Sequence, residues 1–272
     1  MLTPAQKFRQ AKLAKKAALQ ESGGSSGSIH GKPRGTEYEL LLAKLAEDRR
    51  VLSTIKSEEN KAKKKQELVQ DFDGWVDGVL KADKGTPDEI VSTMMVWNLD
   101  AGNYRRALDI ASYMIEHDIK LPDPFKRGLA ELLMDMFGKY AETGKLGTLE
   151  EAQAWLEEVI ELTDGVDAND QPKSKLLRAH AFAVIGRLGQ SDFEPEGLDV
   201  HEAQAALAEL RQAYALNDKV GVKKDIEKLE RYLKNTAPEQ LNQEVQPAHQ
   251  AAQVEGENKD VQTPGEAWPP PF

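Results

Sequence analysis

The chain has 272 residues, enough for one large domain or two ordinary ones, and no cysteine, which excludes disulfide scaffolds, thiolate metal sites and cysteine nucleophiles. No apolar run reaches the roughly 18 residues of a spanning helix, so a soluble, unexported chain without membrane contact is expected. The net charge of -10 hides a split: residues 1–65 carry 15 Lys and Arg against 7 Asp and Glu, whereas residues 66–272 carry 21 against 39.

Residues 1–21 read as a basic helical arm. Lys7, Arg9, Lys12, Lys15 and Lys16 lie among alanines with Phe8 and Leu13 and with no acid from 4 to 20. Arg9, Lys12 and Lys16 fall at i, i+3 and i+7, one helical face suited to following a phosphate backbone. Residues 22–35 are rich in Gly and Ser without periodic apolar positions, which predicts a flexible linker.

From Thr36, with Glu39 three residues on as in a capping box, Tyr38, Leu41, Leu42, Leu45, Leu52 and Ile55 recur at helical spacing. No glycine or proline interrupts the stretch down to Lys61, Lys63, Lys64 and Lys65, which predicts one long helix, bent if anywhere at Asp48-Arg49. Together with Arg49, Arg50 and Lys56, these lysines make residues 36–83 the expected DNA-binding and oligomerisation region. A tethered, acid-free arm gains little from its lysines unless a polyanion is near, and on that ground alone nucleic acid and anionic lipid fit about equally.

Leu68, Phe72, Trp75, Val76, Val79 and Leu80 form the next apolar stripe, after which Gly85-Thr86-Pro87 breaks it and caps a helix carrying Ile90, Met94 and Trp97. Residues 84–234 are expected to be a body of degenerate, tetratricopeptide-like helical hairpins. Helices around 102–111, 150–162 and 202–216 would pair with helices near 125–143, 173–187 and 220–234. Gly144, Gly165, Gly189 and Gly197 punctuate the loops. Trp75, Trp97, Tyr104, Tyr113 and Trp155 stand at helical spacing among aliphatics and are assigned to packing. The fold class is therefore all-α.

Residues 235–272 hold six prolines, six acids and one lysine and are expected to be disordered. They carry one distinct feature, Trp268-Pro269-Pro270-Pro271-Phe272, in which two aromatics flank a stiff polyproline run as in a docking peptide.

No catalytic constellation is legible, and no cofactor is expected. The nearest approach to a phosphate-cradling loop, Gly31-Lys32, has Pro33 after it and Ser26 in place of the first glycine. The five histidines, His30, His117, His180, His201 and His249, never stand four residues apart, so no zinc site is expected. Glu157, Glu158 and Glu161, or Asp71 and Asp73, would be the carboxylates of a metal nuclease, but such runs are expected to be solvated faces of acidic helices.

Six segments in order resemble the gpM-type small terminase subunit of temperate tailed bacteriophages. They are Pro4-Ala5-Gln6; Leu42-Ala43-Lys44-Leu45-Ala46 with Asp48-Arg49; Ala62-Lys63-Lys64; Trp75-Val76 with Gly78-Val79-Leu80; Trp97 with Leu99-Asp100 and Gly102; and Gly221-Val222-Lys223-Lys224 with Ile226-Glu227 and Leu229-Glu230. The resemblance implies a specificity factor in the host cytoplasm. It would bind the packaging site on double-stranded viral DNA, assemble as a homo-oligomer, often a ring, and recruit the large subunit that carries the ATP-driven motor. The family has also been labelled the endonuclease subunit, so direct DNA cleavage stands as one alternative and a protein-scaffolding hairpin domain as another. Many small terminases read DNA through an N-terminal helix-turn-helix, but here no glycine-bearing turn of three to four residues interrupts 36–65.

Overall fold

The computed structural model describes residues 36–122 and 127–236. The expectations for the arm, the linker and the tail lie outside the described residues. Within them every regular element is helical, and the all-α reading holds.

The first helix, α1 (Thr36–Thr54), ends before α2 (Glu58–Leu68) begins, so the single long helix expected through Lys65 is two helices joined at Ile55–Ser57. The cause is local. Ser53 and Thr54 turn their hydroxyls back onto the carbonyls of Arg50 and Val51, competing with the next helical turn. Ser57 then adopts an extended backbone and caps α2 by accepting from the Asn60 amide, and Glu58 and Glu59 place negative charge on the new N-terminus. Asp48 and Arg49, the one place where the sequence allowed a bend, lie inside a continuous α1, with Asp48 buried. Tyr38, Leu45 and Leu52, seven residues apart, form the buried stripe of this helix.

A four-residue 3-10 turn (Val69–Phe72) leads into α3 (Asp73–Ala82) and a loop to α4 (Glu89–Asp100). Helix α4 is the centre of the N-terminal half: every residue from Ile90 to Leu99 is buried, as a helix surrounded by others requires. Its polar members are satisfied within the helix, Ser92 by Asp88 O at 3.0 Å, Thr93 by Glu89 O at 2.7 Å and Asn98 by Met94 O at 2.8 Å. The cap is Asp88 rather than Gly85-Thr86-Pro87. Its Oδ1 accepts from the amides of Ile90 at 2.8 Å and Val91 at 3.1 Å, while Oδ2 accepts from Trp75 Nε1 at 2.8 Å. Gly85 is required as glycine, because its φ is +65° and a Cβ there would lie 2.5 Å from His117 Nδ1.

The remaining helices are α5 (Tyr104–Glu116), α6 (Leu129–Glu142), α7 (Leu149–Thr163), α8 (Asp170–Val184), α9 (Val200–Leu216) and α10 (Lys223–Thr236). All six expected hairpin helices are present, with the four loop glycines in the left-handed region. The pairing differs at several points: α5 packs chiefly on α4, because its apolar face, Leu108, Ala111 and Met114, completes the cluster around α4, while α6 packs chiefly on α8 and α9 packs more on α8 than on α10. Further along, α8 is wedged among α6, α7 and α9, and α10 closes on α9. At Gly138 the α6 and α8 backbones run close, though a Cβ there would still stand at ordinary contact distance, 3.7 Å from Lys175 O. A second apolar cluster, built on Phe182, Leu207, Leu210, Leu229 and Leu233, fills the α8–α10 end. There the buried Asp225 meets Arg187, which lies 4.1 Å over the Phe182 ring, and burial still pushes its carboxyl above the usual range.

Candidate nucleic-acid interface

The cations expected to meet a polyanion fall into groups with different geometry. Lys7, Arg9, Lys12, Lys15 and Lys16, like the peptide Trp268–Phe272, lie outside the described residues. Arg49 and Lys65 are occupied in holding the fold. Arg49 donates to Glu89 Oε1 at 2.7 Å and Thr93 Oγ1 at 2.9 Å, and Lys65 to Asp100 Oδ2 at 2.5 Å, so that α1 and α2 are tied to the two ends of α4. Arg50, Lys61, Lys63 and Lys64 pair instead within their own helices, with Glu47, Glu58, Glu59 and Glu67 at 2.7–2.9 Å. Such exposed pairs three or four residues apart contribute little and exchange readily for a phosphate. Lys56, in the break between α1 and α2, is exposed and has no partner among the described residues.

Lys44 sits lower in the same region, between Asp71 at 2.9 Å and Asp48 at 3.3 Å and 5.6 Å from the Phe72 ring centroid. Its hydrogen bond to Asp71 first, then that to Asp48, holds its ammonium above the usual lysine range. It is a fixed charge of the fold. Residues 36–83 contain nine Lys and Arg against eleven Asp and Glu, whereas residues 1–35 contain seven against one. The positive surplus of the head therefore belongs to the arm and linker, and α1 and α2 present balanced charge.

Carboxylates read as solvated faces separate into two kinds. Glu157 is exposed, but Glu158, only 2% exposed, is gripped by both Nη atoms of Arg105 across the α5–α7 contact. The solvated reading fails there because one turn of α7 faces the cation of α5 instead of water. Among the described residues no three His, Asp or Glu side chains gather into a metal-binding set. His117 faces Asp83 and His180 faces Glu209, each at 2.8 Å.

The aromatics do pack. Trp97 and Tyr113 are buried, Tyr104 contacts Phe137, Tyr140 and Trp155 at centroid distances of 5.5–6.0 Å, and Trp75 stacks on Tyr38 at 5.4 Å. Asp88 was missed as the residue that locks Trp75 to α4. The signal was present in Pro87-Asp88-Glu89, an acidic cap directly before an apolar run. Among the described residues no helix is long and apolar enough to cross a membrane.

The described residues form an all-α array of helical hairpins, preceded in the sequence by a basic segment. The family model of the phage small terminase subunit matches residues 42–171, from mid-α1 into the start of α8. The "Terminase, endonuclease subunit" of Escherichia phage P2 is 35% identical over 199 residues, covering 73% of this chain and 75% of that relative. The chain belongs to the phage small terminase subunit family, and so to the terminases that package phage DNA. No solved structure matches it.

Proposed function

We propose that this small terminase subunit binds double-stranded viral DNA through its basic arm, assisted by Lys56 and by the exchangeable cations Arg50, Lys61, Lys63 and Lys64. The observation that carries this reading is the segregation of charge, seven cations against one acid in residues 1–35 of a family member whose remainder is acidic. Arg49 and Lys65 act indirectly, by fixing α1 and α2 on α4. The hairpin body supports assembly of copies in the host cytoplasm, and Trp268–Phe272 docks the large terminase subunit.

Counterion release supplies the test. Log affinity for duplex DNA should fall against log salt by about 0.9 per neutralised phosphate. Replacing Lys7, Arg9, Lys12, Lys15 and Lys16 by Gln should flatten the slope by up to about 4.5, while Lys56, Lys63 and Lys64 to Gln should flatten it by at most about 2.7. An arm variant with an unchanged slope removes the arm from the DNA site.

The name of the P2 relative, an endonuclease subunit, favours a second reading, in which this subunit itself cuts DNA. It requires Mg²⁺-dependent nicking of duplex DNA by the purified chain without a large subunit. Binding that persists in EDTA, with no nicking when Mg²⁺ is restored, rejects that reading and leaves the adaptor.

A further inference from the structure

A groove opens between the start of α1, the outer face of α3 and the loop before α4. It encloses about 590 Å³ and is lined by Glu37, Gly74, Trp75, Gly78, Tyr113 and neighbouring residues. That volume lies within the range of pockets that hold a small ligand or a few side chains. Its floor is bare: Gly74 and Gly78 lie one helical turn apart, and a Cβ on either would meet nothing within 4 Å. One wall is the half-buried Trp75 indole, rigid because Tyr38 stacks on it and Asp88 accepts its N–H at 2.8 Å. Opposite stands Tyr113, whose hydroxyl accepts the Gly85 amide at 3.1 Å and has no acceptor for its own proton among the described residues. Lys84 lines the groove and Lys81 lies nearby on α3, both exposed and both without a partner among the described residues.

A rigid aromatic wall, a flat glycine floor and a free hydroxyl donor suit a proline-rich extended peptide. Such a peptide presents ring faces and unpaired carbonyls and carries little ordering entropy into the complex. The chain itself contains one. We propose that Trp268–Phe272 of this same chain occupies the groove. An aromatic ring lies over Gly74 and Gly78 against Trp75, a peptide carbonyl accepts from Tyr113, and Glu266 approaches Lys84. The lining itself carries Glu37 and Asp88 as well as Lys84, so the groove offers the tail one local cation for Glu266 rather than a positive surface, and the fit rests on the aromatic wall, the bare glycine floor and the reach of the tail. Length permits it as well. The 31 residues between Thr236 and Trp268 span at most about 110 Å, several times the roughly 28 Å length of the longest helix among the described residues. Tethering makes the encounter intramolecular, so modest affinity suffices. A peptide held this way is masked from the large subunit until displaced. The inference rests on reading Trp268–Phe272 as a docking peptide and is independent of DNA binding.

The absence of native cysteines makes the test direct. In the full chain, Gly78→Cys is paired with Pro270→Cys, and as a control Glu150→Cys at the exposed start of α7 is paired with Pro270→Cys. Both are oxidised at low protein concentration. The expected result is an intrachain disulfide at Gly78→Cys forming at least about tenfold faster than at Glu150→Cys, as effective concentration in a bound state requires. In a second measurement, Trp268→Ala with Phe272→Ala should shift the Gly74 and Gly78 amide resonances of the full chain, and a synthetic peptide of residues 262–272 should restore them. Equal oxidation rates at both sites, a link only between copies, or unmoved glycine resonances each overturn the proposal. No large subunit is present in these experiments, so their failure leaves the recruitment reading standing.

Discussion

Arg105→Ala should destabilise the protein by about 3 kcal/mol, the lower end of what breaking a buried ion pair costs, since one side of Arg105 remains in water. The Arg105 side chain is 45% exposed and that of Glu158 only 3%, so removing the arginine strands a carboxylate that has nowhere to hydrate. The same change removes a cation 5.7 Å from the Trp155 ring centroid, at the edge of the aromatic cluster of Tyr104, Phe137 and Tyr140. Glu158→Gln, which keeps the shape and removes the charge, should lose less, about 1–2 kcal/mol. Replacing both partners together, Arg105→Met with Glu158→Leu, should recover most of the stability, because apolar groups of similar volume need no compensation. Urea midpoints at constant slope measure all three. A loss under about 1 kcal/mol for Arg105→Ala would mean that water reaches Glu158 and that the pair does not seal the α5–α7 contact.

Glu158 also shows what a sequence withholds. Periodicity locates α7 and places Leu156, Val159 and Leu162 inward, because a 3.6-residue repeat is a local property. Whether the acid beside them meets water or an arginine 53 residues earlier depends on which helix packs opposite. The same limit applies to α5. Its apolar stripe was legible, but not its choice of α4 over α6, since any apolar face satisfies any other. Two local features were legible in principle and were outweighed by cruder ones. Ser57-Glu58-Glu59 is a helix start, yet an uninterrupted run without Gly or Pro argued for continuity. Asp88 is a helix cap, yet the neighbouring Gly85 and Pro87 are louder punctuation.

For the candidate interface, composition singled out the first quarter of the chain, and the structure shows that much of the charge in its inner part is paired. Lysines count equally in a tally, but Lys65 lies against Asp100 and Lys63 against Glu59, and only geometry separates a fold-holding cation from an exchangeable one. The surplus of cations over acids therefore lies in residues 1–35, which precede the described helices in the sequence. If the arm is the DNA site, as proposed, DNA affinity and fold stability should vary independently, because the residues that hold the fold are not those that meet phosphate. Lys12→Gln and Lys16→Gln should therefore weaken binding without moving the urea midpoint, whereas Arg49→Ala should move both.

Asp88→Ala is expected to destabilise the protein by about 2–4 kcal/mol, because one carboxylate serves three donors. Loss of the cap on α4 exposes the amides of Ile90 and Val91 at the most buried helix of the N-terminal half, and Trp75 Nε1 loses its acceptor. Asp88→Asn separates these contributions, since its side-chain oxygen can still cap while its amide nitrogen faces the indole N–H, donor against donor. The acid itself carries a pH signature. Burial, against the opposing hydrogen bonds from Trp75, Val91 and Ile90, holds the Asp88 carboxyl above the usual range. The native state therefore retains this proton to higher pH than the unfolded chain does. Its contribution is fully present below the unfolded carboxylate value of about 3.9 and is lost as pH rises through the folded value. The stability advantage of the wild-type chain over Asp88→Asn should accordingly be largest near pH 3 and shrink toward neutrality, other carboxylates cancelling in the difference. Paired urea titrations from pH 3 to 7 would show it, and an advantage that instead grew with pH would mean that Trp75 and the two amides outweigh burial and that Asp88 is a stabilised anion.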